Sequence, residues 1–96
     1  QYQTKVLLTI TNFGAANNRA FLRNSAAQKT LLKNIVKLLG DRNGDGVNID
    51  FEGIQPEDRG AFVSFIITFS QELKSYNPRY QVTLAVPAID FNQVYS

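Results

Sequence analysis

The 96-residue chain contains no histidine, no cysteine and no methionine. Without histidine there is no imidazole acid–base chemistry, no Ser-His-Asp triad and no histidine metal ligand. Without cysteine there is no thiol nucleophile, no disulfide and no thiolate zinc site. Acid–base catalysis therefore falls mainly to Asp, Glu, Lys or Tyr. The lack of cysteine suits a cytoplasmic and an exported protein equally and does not locate the chain. The lack of methionine implies that residue 1 is not a natural start, and the chain is expected to be a piece of a longer protein. No apolar run approaches the roughly 18–20 residues that cross a bilayer, so no membrane helix is encoded. Lysine and arginine are scattered rather than gathered in a stripe, which leaves no footprint for nucleic acid.

What is present is a globular composition, 44% hydrophobic and 19% charged, with ten basic and eight acidic residues giving a net charge of +2. The length allows one domain at most, with a modest core. Residues 5–11 (KVLLTIT) alternate as a strand with Thr9 and Thr11 on one side, ending at Asn12-Phe13-Gly14. Residues 15–24 are polar and Asn-rich around Ala20-Phe21-Leu22, and suggest a loop with a short helical turn. Ser25 and Gln28 form an S-x-x-Q capping box, predicting a helix over about 26–39 with Leu31, Leu32, Ile35, Val36 and Leu39 buried and Gly40 stopping it.

After a Gly-rich turn at 41–46 comes a second strand. Beyond it, Pro56 suits a first helical position, and Glu57 and Asp58 place negative charge at the positive end of a helix. Phe62, Phe65, Ile66, Phe69 and Leu73 recur at helical spacing to about Tyr76, where Asn77-Pro78 ends the run. This aromatic stripe is read as core. A third strand is predicted over 81–86, followed by Pro87 and Ala88, with no evident element in the tail 89–96. The order is βαβαβ, an α/β class with parallel strands lying side by side in chain order.

The second strand carries the chemistry. In Asp45-Gly46-Val47-Asn48-Ile49-Asp50-Phe51-Glu52-Gly53, Val47, Ile49 and Phe51 project from one face and Asn48, Asp50 and Glu52 from the other. Two carboxylates one strand repeat apart, about 6.6 Å of rise, do not ionise independently, and the one that keeps its proton is equipped as a general acid. Taken alone, the same pattern also suits two solvated charges at a strand end.

This stretch resembles the D-G-x-D-x-D-x-E strand signature of glycoside hydrolase family 18, the chitinase-like (β/α)8 barrels, with Asn48 where the commoner signature has Asp. The wording G-V-N-I-D-F-E is most similar to the branch with peptidoglycan- and spore-cortex-active members. The first strand occupies the place of the family's S-x-G-G strand, with Thr9, Thr11 and Asn12 at the matching residues, and Ile-Thr-Asn-Phe points to the same branch. The resemblance implies a three-stranded fragment of a (β/α)8 TIM barrel, its strands similar to the third to fifth, within a fold of about 250 residues.

It further implies an exported glycosidase acting on β-1,4 bonds of N-acetylglucosamine-containing polysaccharide, chitin or peptidoglycan. Glu52 would be the general acid. Asp50 would orient the substrate's acetamido group, whose own oxygen is the nucleophile in a retaining mechanism, and Asn48, Asn12 and Thr11 would contact substrate. No cofactor and no metal are implied. Because the family's sugar floor lies on other strands, the 96 residues alone are expected to be inactive or very weak. Open sheet edges are expected to drive self-association.

Two other readings stay open. Asn48 could mark a non-catalytic sugar-binding relative. Alternatively, Asp41, Asn43, Asp45, Gly46 and Glu52 satisfy D-x-[DN]-x-[DN]-G-x5-E, a calcium loop serving an interaction module. Against calcium stand Asn48 where an aliphatic residue is usual, Gly40 breaking the incoming helix, and Gly53 and Pro56 delaying an exiting one. No strand is followed by G-x-G-x-x-G or a P-loop, which disfavours a phosphate-binding domain.

Overall fold

The computed structural model describes residues 5–85. Strand β1 spans Leu7–Phe13, helix α1 Ala15–Leu22, helix α2 Ser25–Arg42 and strand β2 Gly46–Glu52. A 3-10 turn at Pro56–Asp58 leads into helix α3, Arg59–Tyr76, and strand β3 covers Gln81–Leu84. The three strands form one parallel sheet in the order β1-β2-β3. The expected α/β architecture is therefore present: three consecutive parallel strands joined by helical crossovers, the repeating unit of (β/α)8 barrels. The predicted strand residue Val86, with Pro87, Ala88 and the tail, lies outside the described residues.

Alternation along β2 sets the layers. Val47, Ile49 and Phe51 are buried, while Asn48 and Asp50 are half-buried and Glu52 is exposed. Against the apolar face pack Leu32, Ile35 and Leu39 of α2 and Phe62, Phe65, Phe69 and Leu73 of α3, spaced three or four apart as a helix requires. Both long helices thus cover one side of the sheet. Phe51 meets Phe62 at 5.5 Å and Phe21 at 5.6 Å between ring centroids, the latter edge-on, so aromatic packing ties α1 and α3 to the middle strand. Each such side chain taken fully from water contributes about 1.5–3 kcal/mol.

Four local expectations are corrected. Residues 15–22 form a full helix rather than a loop with a turn. The cap of α2 is Asn24, whose Oδ1 accepts from Ala27 N at 3.0 Å, and Gln28 reaches back to the carbonyls of Phe21 and Leu22, closing α1 instead of completing a capping box. Gly40 does not stop α2. The helix continues to Arg42 and ends at Asn43, in the left-handed region at φ 51°. Leu39 is 1% exposed, and its carbonyl takes the Gly44 N–H at 2.9 Å. Anchoring that turn in the core outweighs the roughly 1 kcal/mol that an interior glycine costs. Finally, β1 ends two residues later than predicted, at Phe13.

Candidate functional site

Strand β2 has a fastened end and a chemical end. Just before its start, Asp45 binds Val6, which precedes β1, and Gln81, which opens β3. Its Oδ2 accepts from Val6 N at 2.7 Å, its N–H donates to Val6 O at 2.7 Å, and its carbonyl accepts from Gln81 N at 3.0 Å. Gly46 lies so near β3 that an added Cβ would fall 2.0 Å from Gln81 O. The leading Asp-Gly of the motif is thereby explained as a staple across three strands.

At the other end, Asp50 and Glu52 share the face that the helices leave open. In the parallel register Thr9 lies beside Asn48, Thr11 beside Asp50 and Phe13 beside Glu52. On the β3 side, Thr83 Oγ1 donates to Asn48 Oδ1 at 2.8 Å. Among the described residues none of the ion pairs involves Asp50 or Glu52. Four of the five residues singled out from sequence, Thr11, Asn48, Asp50 and Glu52, therefore stand on one polar surface at or near the C-terminal end of the sheet.

Asn12 does not join them. It pairs with Phe51 in the register and continues the Leu8–Ile10 parity, so it belongs to the helix-facing side. There its Nδ2 donates to Asn18 Oδ1 at 3.0 Å. Asn18, in α1, is fully buried and donates its own Nδ2 to the main-chain carbonyl of Glu52 at 2.6 Å. Immediately after Glu52, Gly53 turns the chain at φ +83°, a conformation open to glycine at little cost.

The next residue of α1, Arg19, closes a second link. Its Nε donates to both carboxylate oxygens of Asp58, at 3.2 and 3.1 Å, and its NH2 group to Glu57 at 2.8 Å. Asp58 is buried, so the pair is shielded on the acidic side. The hydrogen bond to Asp58, then the charge of Asp58, hold the guanidinium pKa above its usual range. Sequence reading assigned Glu57 and Asp58 to a helix dipole and gave Asn18 and Arg19 no role. Their partners are 34 and 39 residues away, and no local pattern encodes them.

The calcium-loop pattern is not a loop in space. Asp41 sits in the last turn of α2, beside Lys37 at 3.8 Å, and Asp45 is engaged by Val6. Glu52 lies at the far end of a seven-residue strand, about 20 Å of rise from Gly46, and cannot close on the same ion. The helix also runs through Gly40, so that argument against calcium is replaced by this one. A cavity of about 160 Å3 lies between α2 and α3, lined by Leu32, Phe65 and Phe69 with Lys29 and Glu72 at its rim, and is separate from the carboxylate face.

A family model described as glycosyl hydrolases family 18 matches residues 1–96. The chain belongs to this family. Among family 18 relatives, a Bacillus subtilis protein titled "Putative sporulation-specific glycosylase YdhD" is 34% identical over 93 residues, covering 92% of this chain and 22% of the relative. The crystal structure of the Bacillus cereus spore cortex-lytic enzyme SleL superposes with a TM-score of 0.74 at 28% identity, over 84% of this chain and 20% of that one. The Bacillus megaterium spore cortex-lytic enzyme SleL gives 0.70 at 27% identity, over 82% of this chain and 20% of that one. The chain thus spans about a fifth of the length of these relatives. The branch expected from Gly46–Glu52 is the one these relatives occupy.

Proposed function

We propose that the protein containing this chain is a glycosidase that cleaves β-1,4 bonds of N-acetylglucosamine-containing polysaccharide, with Glu52 as general acid and Asp50 as its partner. The observation that carries the proposal is the shared, open face of Asp50 and Glu52 at the C-terminal end of the middle parallel strand, the end where barrel enzymes place their chemistry. The sporulation and spore-cortex titles of the relatives favour peptidoglycan over chitin. Such a polymer lies outside the cytoplasm, and the protein is assigned to a secreted, periplasmic or cell-surface location on that ground.

In the first step the Glu52 carboxyl gives its proton to the glycosidic oxygen as the bond from that oxygen to the anomeric carbon breaks. The acetamido oxygen of the same sugar bonds to the anomeric carbon from the opposite face, forming a cyclic intermediate. Asp50 accepts the acetamido N–H, which orients the nucleophile and stabilises the positive charge developing on it. Water then attacks the anomeric carbon, loses a proton to the Glu52 carboxylate, and restores both groups with retained configuration. Thr11, beside Asp50 in the register, lines the same surface.

Asn48 adjusts this scheme. Its amide oxygen is occupied by the Thr83 hydroxyl, which leaves the amide N–H groups to meet Asp50 or substrate. An amide can donate to Asp50 but cannot exchange a proton with it, so no proton passes down the strand beyond Asp50.

The test is Glu52→Gln in the full-length protein, assayed on peptidoglycan and on chitin. A loss of about 10²–10⁴-fold in kcat is expected, with the unfolding transition unmoved. An unchanged rate would overturn the assignment. Wild-type protein that binds either polymer without cutting it would establish the sugar-binding reading instead. The 96 residues alone are expected to be inactive or very weak, and ready cleavage abolished by Glu52→Gln in that short chain would reverse this.

A further inference from the structure

We propose that Asn18 is a positioning residue for Glu52: its buried amide fixes the end of β2 and so aims the proton donor. The inference rests on the reading of Glu52 as the acid. A general acid must come within about 2.6–3.2 Å of the atom it protonates, yet Glu52 is the last residue of its strand and is followed at once by the turn at Gly53. β1 accompanies β2 to its end, with Phe13 opposite Glu52.

The Glu52 carbonyl is held by Asn18 at 2.6 Å. Packing alone does not call for asparagine at this position, since an apolar side chain of similar size could fill it. A buried amide costs free energy unless hydrogen-bonded, and this one is bonded at both ends. The bond from Asn12 Nδ2 to Asn18 Oδ1 also decides which way the amide faces. With the oxygen occupied by Asn12, the NH2 group is the end presented to Glu52; reversed, two carbonyl oxygens would confront each other. Arg19 then grips Asp58 and Glu57. Two adjacent residues of one short helix thereby tie down both ends of the loop that leaves the acid.

The discriminating experiment compares two substrates in the full-length protein, sharing an N-acetylglucosaminyl unit but differing in leaving group. One is a natural glycosidic linkage, whose departing alkoxide needs a proton. The other carries 2,4-dinitrophenol, which leaves without one. Asn18→Ala is expected to lower kcat/KM, which reports cleavage of the leaving group and not the later water attack where Glu52 is the base, by about 10- to 100-fold on the natural linkage and to leave kcat/KM for the dinitrophenyl substrate nearly unaffected.

Asn12→Ala, which removes only the orienting donor, should give the same pattern more weakly, and serves if Asn18→Ala does not fold. Equal losses of kcat/KM on both substrates, or none on either, would show a merely structural role and overturn the proposal. Glu52→Gln is run in parallel. If it shows leaving-group dependence and the asparagine variants do not, the acid stands and the positioning role falls. If Glu52→Gln itself lacks that dependence, the acid reading fails and the positioning role fails with it.

Discussion

On the helix-covered face of β2, Val47 and Ile49 are wholly shut from solvent and Phe51 nearly so, all three within the one core cluster that α2 and α3 also supply. On the open face of the same strand, Asn48 and Asp50 lie beside threonines and Glu52 beside Phe13 in the register, and among the described residues one hydrogen bond, from Thr83, reaches their side chains. One residue of offset separates a surface built for stability from one that contributes little to it. The difference teaches that the motif's two halves answer to different constraints. The apolar positions are fixed by packing, which tolerates no cavity, whereas the polar positions are explained by chemistry or not at all.

The comparison breaks most visibly at the core. Phe62 is completely buried against Phe51, and Phe62→Ala should cost about 3–5 kcal/mol in denaturant unfolding of the full-length protein. Glu52→Gln, on the other face of the neighbouring β2, should shift the same transition by no more than about 0.5 kcal/mol while removing activity. Comparable stability losses from the two would mean that the open face also holds the fold. Gly46→Ala comes next. Its new Cβ has backbone within 2.0 Å and no flexible side chain to push aside, so β3 must separate from β2, at about 1–3 kcal/mol. A third, smaller step is Asn24→Ala, which deletes the bond capping α2 and should cost about 1 kcal/mol.

The helix-covered half was legible because periodicity reports burial directly. Phe62, Phe65, Phe69 and Leu73 fall on one helical stripe in the sequence and are the buried residues of α3 in the structure. The Asp50–Glu52 pair was legible for the same reason, through the period of two. Helix α1 was not. Its segment offers Phe21 and Leu22 as its only large apolar residues, its buried side chain is an asparagine, and what holds it lies far along the chain. Propensity cannot reveal a helix stabilised through Glu52 and Asp58. Asn12 was singled out as a substrate contact, whereas the structure places it on the helix-facing side, and the Leu8–Ile10–Asn12 parity that says so was visible in the sequence. The register that sets this parity against Phe51 rather than Asp50 exists only once the strands pair.

The smallest expected effect tests the open face where it is most nearly structural. Thr83 and Asn48 are cross-strand neighbours, and their hydrogen bond of 2.8 Å is solvent-exposed. A bond of this kind contributes about 0.5–1.5 kcal/mol at most, and Thr83→Val keeps the branched shape that suits a strand. The substitution should therefore move the unfolding midpoint by less than about 0.5 kcal/mol, since water replaces the lost donor. Its consequence for chemistry runs the other way. Freed from Thr83, the Asn48 amide can turn its oxygen toward Asp50, where it repels a carboxylate instead of donating to it, and kcat should fall while KM holds. A stability loss several times the expected value, with activity intact, would place Asn48 and Thr83 among the groups that hold the sheet together and would erase the division between the two faces of β2.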